Sequence, residues 1–135
     1  MLNPNIEIKK WFYTELVSAT SLGFYDGFAP DGVGNEYIIL DGRSSSQEQG
    51  KAGYTNGITI IVDIVTKNAN FGYKRAEEIS NLVLADINSD TTITLSNGFT
   101  SSALSVQSVR NLDGLNPIDN VFRTIITYNI IITQN

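Results

Sequence analysis

A chain of 135 residues with 41% hydrophobic and 17% charged residues has the composition of one globular domain, neither disordered nor membrane-spanning. It contains no cysteine and no histidine, which removes disulfides, thiolate metal sites, the commonest general base and every Ser-His or Cys-His nucleophile. The net charge is −5, and Lys and Arg are adjacent only at Lys9-Lys10 and Lys74-Arg75, so binding to a nucleic-acid backbone is not expected.

The start of the sequence has no basic region followed by an apolar core, so no signal peptide is expected. No apolar run approaches about 18 residues, so no membrane span is expected either.

Asn3-Pro4 is a helix start, with Asn as N-cap and Pro in the first helical position. Ile8, Phe12 and Leu16 then share one face, flanked by Trp11, and predict a helix from about Pro4 to Ser18. Its aromatic residues read as packing groups, with a partner-binding face as the alternative. The turn pairs Asp26-Gly27, Asp31-Gly32 and Asp41-Gly42 follow. Between them, Phe24-Tyr25 and Tyr37–Leu40 predict two short strands in an antiparallel pair. The polar stretch 42–53, GRSSSQEQGKAG, reads as a loop or an extended hairpin tip.

The stretch Tyr54–Ile87 is the most informative. Its apolar period changes from 2 to 3.6 within about five positions. Ile58, Ile60, Val62 and Ile64 occupy one face of a strand; Thr59, Ile61, Asp63 and Val65 occupy the other, which Asp63 predicts to be partly wet. Residues 67–70 supply turn and cap groups. In the helix beyond, Ala76, Ile79 and Val83 align with Asp86 or Ile87, and Leu82 lies beside them. Lys74, Arg75, Glu77, Glu78 and Asn81 make a solvated side.

Asn97-Gly98 between β-prone runs predicts a hairpin over 91–103. Leu104 and Val106 then alternate with Ser105, Gln107 and Val109. In the final run, 121–133, Phe122, Thr124, Ile126, Tyr128, Ile130 and Ile132 share a face, while Arg123, Thr127, Asn129 and Thr133 share the other. A strand of that length is about 43 Å at roughly 3.3 Å per residue. Either the strand is bent or bulged, or its end projects to pair with another subunit, which would argue for a homo-oligomer; fraying of the last few residues is the alternative. The fold class expected for the single domain 1–135 is α+β: a mainly antiparallel sheet with two helices packed on one face.

No constellation carries chemistry. Glu77-Glu78 are helix neighbours that point about 100° apart. Asp26, Asp31, Glu36 and Asp41 surround turns, and their spacing is not that of an EF-hand loop. Ser44-Ser45-Ser46 has no base. No catalytic residue, cofactor or metal is expected, and the chain is not read as an enzyme. Arg43, Arg110 and Arg123 are isolated in sequence and suited to pairing with carboxylates across an interface.

The layout resembles the tail-terminator and tail-completion proteins of tailed bacteriophages over nearly its full length. The resemblance rests on the N-terminal helix, FYDG, EYIIL, GYTNGITIIVDIVTKNANFGYKRAEEISNLVLADI, SVQSVRNLDGLNP and the long last strand VFRTIITYNIIIT. It implies a structural virion protein, assembled in the host cytoplasm. Such a protein forms a ring, commonly a hexamer, with a dodecamer as the alternative. The ring ends tail-tube growth and joins tail to neck.

The partners implied are the tube protein and a neck or head-completion protein, with DNA only passing through the lumen. Another neck ring, such as a head-closure or adaptor component, is the alternative position; a small cytosolic α+β binding module is the reading from a different class. The stretch 42–53 and the hairpin at 91–103 depart from the family's common form. Arg43, Gln47, Glu48 and Lys51, with Arg123 and Asn129, are the candidate interface residues.

Overall fold

A computed structural model describes residues 4–28, 34–50, 53–67, 73–89, 91, 93, 95, 98–113 and 121–134. The elements are α1 (Pro4–Thr20), β1 (Gly23–Asp26), β2 (Glu36–Gly50), β3 (Gly53–Thr66), α2 (Lys74–Asp86), β4 (Phe99–Asp113) and β5 (Phe122–Gln134). The strands form one sheet in the order β1-β2-β3-β5-β4. Every pair is antiparallel except β1 with β2. Both helices lie on the same face and pack against each other, so the expected α+β class is the observed one.

The core follows from two periodicities meeting. Helix α1 presents Ile8, Phe12 and Leu16, all fully buried, and α2 presents Ala76, Ile79 and Val83. Beneath them the sheet offers rows of alternate residues: Ile38, Ile64 and Thr124; Leu40, Val62 and Ile126; Gly42, Ile60 and Tyr128. Tyr128 is the largest fully buried side chain among the described residues. Its ring lies 5.4 Å from that of Phe12, and its hydroxyl donates to the Ile87 carbonyl at 2.9 Å. Helix α1 ends where Ser21 takes the left-handed conformation, φ 57°, and donates its N–H to the Val17 carbonyl at 3.0 Å.

Gly42 lets α1 come close to the sheet. A Cβ there would lie 3.0 Å from Lys9 Cε and 3.1 Å from Ile60 Cδ1. Gly42→Val is expected to cost about 1–3 kcal/mol through overpacking, read as a lower midpoint in urea unfolding.

Several expectations are corrected. Strand β1 runs parallel to β2, with Gly23 opposite Tyr37 and Asp26 opposite Leu40. Gly27 starts the reversal at φ 80° and extends the ladder by donating to the Leu40 carbonyl at 2.9 Å. Of the two readings of 42–53, the loop gives way to the extended hairpin: strand runs as far as Gly50 and resumes at Gly53, so β2 and β3 form one long hairpin, with a bulge between Ser44 and Ser46.

Strand β5 does not project. It is the central partner of β3 from Phe122 to Gln134 and of β4 over the same span, so its polar backbone is satisfied inside the domain. A second bulge, between Val106 and Ser108, shifts the alternation of β4. Val109 therefore stands opposite Ile126 on the helix-covered side, not with Ser105.

The N-cap Asn3, the turn residues Asn68–Asn70 and the Ser96-Asn97 turn lie outside the described residues. Of the first arm of the expected 91–103 hairpin, Thr91, Ile93 and Leu95 are described and are not in strand.

Candidate assembly interface

Three surfaces are candidates for contact with a partner. The first is the face of the sheet away from the helices. Asp63 lies on it but is not wet: it is 6% exposed, between Ile39 and Ile125 in the ladder. Arg123 donates to it through both Nε, at 3.1 Å, and Nη2. That hydrogen bond, with the carboxylate's charge, holds the Arg123 guanidinium above its ordinary range. Farther along the same face, Thr59 Oγ1 donates to Asn129 Oδ1 at 3.0 Å, and Asn129 Nδ2 donates to Gln107 Oε1 at 3.1 Å. This polar ladder crosses three strands and lines a shallow hollow of about 410 Å³.

The second surface is a groove of about 730 Å³ between α1 and β1. Ile6, Tyr13 and Val17 are exposed along α1 at helical spacing, and Ile6 and Tyr13 line the groove with Phe24 and Lys10. Lys9 crosses it to Asp26 at 2.8 Å. Reading the aromatics of α1 as core holds for Phe12 and fails for Tyr13, which is 55% exposed. The spacing Ile6–Tyr13–Val17 is a second stripe, visible in the sequence beside the buried one.

The third surface is the pair of outer sheet edges. Strand β1 covers β2 only as far as Leu40. Beyond it the outer side of β2, and the whole outer side of β4, have no strand partner among the described residues.

The candidate interface residues fall in different places. Arg43, Gln47 and Glu48 lie in the outer half of β2, at register positions opposite Thr59, Asn56 and Thr55. Lys51 lies outside the described residues. Arg123 and Asn129 have the intrachain partners given above. The acidic group around the turns is dispersed: Asp26 pairs with Lys9, and Glu36 takes both Nε and Nη2 of Arg75 from α2. Asp31 lies outside the described residues. On α2, Glu77 accepts from Asn111 Nδ2 at 2.9 Å, which ties that helix to β4. Leu82, beside the buried row of α2, is 46% exposed.

Among the described residues no group of three or more His, Cys, Asp or Glu could hold a metal ion. No helix among them is long and apolar enough to cross a membrane.

No protein-family model matches the chain, and no curated protein sequence matches it. The fold has a counterpart among solved structures. A chain in the virion of the native gene transfer agent (GTA) particle superposes with a TM-score of 0.78 at 14% identity, covering 98% of this chain and 99% of that one. The likeness spans both chains end to end, so this chain has the fold of a component of that virion.

Proposed function

We propose that the protein is a structural component of a phage-type virion, a ring at the head-proximal end of the tail that ends tube growth and joins tail to neck. The full-length likeness to a GTA virion chain carries this reading. Two physical features agree with it. Long open strand edges on opposite sides of one sheet suit head-to-tail contacts, which close into rings. A net charge of −5 per subunit disfavours adhesion of DNA passing through a lumen.

Mass photometry tests the ring. A hexamer of the 14.8 kDa chain is expected at about 89 kDa, and a lone monomer at every concentration would count against the reading. Loss of the gene in a producing phage tests its position. Overlong tail tubes are the expected result, whereas tails of normal length that fail to join heads would place the ring in the neck.

A further inference from the structure

We propose that copies join edge to edge, with residues 108–112 of β4 pairing antiparallel to residues 46–50 of β2 in the next copy and Arg110 opposite Glu48. This rests on the ring reading and names the contact that would build it. The direction follows from the topology. Strands β2, β3, β5 and β4 alternate in sense across the sheet. Repeating the subunit by rotation about an axis along the strands preserves those senses. The β4 of one copy therefore meets the β2 of the next antiparallel, and the alternation continues across the junction.

The register follows from where each edge is regular and has no strand partner among the described residues. On β2, β1 blocks the outer side up to Leu40, and a bulge interrupts the strand between Ser44 and Ser46. The stretch 46–50 is regular. On β4, bulges lie between Ser101 and Leu104 and between Val106 and Ser108, leaving 108–113 regular. These two stretches match in length, and at about five residues each they are ordinary strands. Neither edge carries Lys or Pro, the residues that usually blunt an exposed strand.

Charge selects the alignment within them. Arg110 is exposed and has no carboxylate partner among the described residues. Its register position is opposite Ile125 of β5, while that of Glu48 leads through Thr55 to Thr133. Both are odd positions of β5, so Glu48 and Arg110 belong to the same side of the sheet and can stand opposite each other.

The chain has no native cysteine, so an introduced pair reports on this contact alone. In the register proposed, Ser46 and Leu112 are directly opposite, about 4.5–5.5 Å apart at Cα, within the span of a disulfide. Mild oxidation of full-length S46C/L112C is expected to give a ladder of covalent oligomers on a non-reducing gel, up to the ring.

Independently, Glu48→Arg is expected to raise the concentration needed for half-assembly roughly threefold or more, and E48R/R110E is expected to reverse most of that loss. Rings of normal mass with no ladder and no charge effect would overturn the edge contact and leave the ring reading standing. Covalent dimers alone would also overturn it. A protein that stays monomeric at its highest soluble concentration would overturn both.

Discussion

Tyr128→Ala is expected to destabilise the protein by about 3–5 kcal/mol, a large part of the roughly 5–15 kcal/mol available to a domain of this kind. The residue is fully buried at the centre of β5, under both helices. Removing it opens a cavity between Phe12 of α1 and the sheet and strands the Ile87 carbonyl just beyond the end of α2. Tyr128→Phe separates the two effects. It keeps the ring and loses only the hydroxyl, and it is expected to cost about 1–2 kcal/mol.

The same pair of proteins has a pH signature. Burial, with a smaller contribution from Asp86, pushes the Tyr128 phenol well above its ordinary value of 10.0. Above about pH 10 the unfolded chain releases this proton while the folded chain keeps it. The unfolded state then binds fewer protons, so stability falls as pH rises by about 1.4 kcal/mol per unit from this group, until the raised value is reached. Below about pH 10 the contribution is intact. Urea titrations at pH 9, 10 and 11 are expected to show the wild type losing its advantage over Tyr128→Phe. An unchanged difference would mean that the phenol is not held neutral by the fold.

How much of this could be read before folding depends on what decides each feature. Ile8, Phe12 and Leu16, or Ile58 to Ile64, announce their elements because burial of one face is written in their spacing. The face of β5 was legible for the same reason, and so was the fold class. The direction of β1 was not, because Phe24-Tyr25 fit a parallel or an antiparallel neighbour equally well. The composition of GRSSSQEQG fits a loop as well as a hairpin tip and does not choose between them. The stretch becomes strand through pairing with Gly53–Thr59, whose own pairing with β5 supports both.

The bulge near Gln107 moved Val109 to the other face, since one inserted residue reverses a period of two. As for the candidate interface, the sequence pointed to the polar stretch at Arg43–Glu48. It could not show that β4, far along the chain, forms the opposite edge of the same sheet.

Arg123→Met is expected to cost about 2–3 kcal/mol, more than an ordinary surface ion pair and less than a fully buried one, since the Arg123 side chain keeps 30% of its exposure and Asp63 only 9%. The asymmetry between partners carries the argument. Losing Arg123 leaves a carboxylate among Ile39, Ile125 and Val65 with its donors gone. Losing both in Asp63→Ala/Arg123→Met leaves an apolar patch on the face away from the helices, so the double variant is expected to recover most of the loss. A double-mutant cycle from urea unfolding measures the coupling. Additive effects would reduce the pair to surface decoration. A double variant that is stable yet fails to assemble would show that the pair, although closed within one subunit, shapes a surface that another subunit meets.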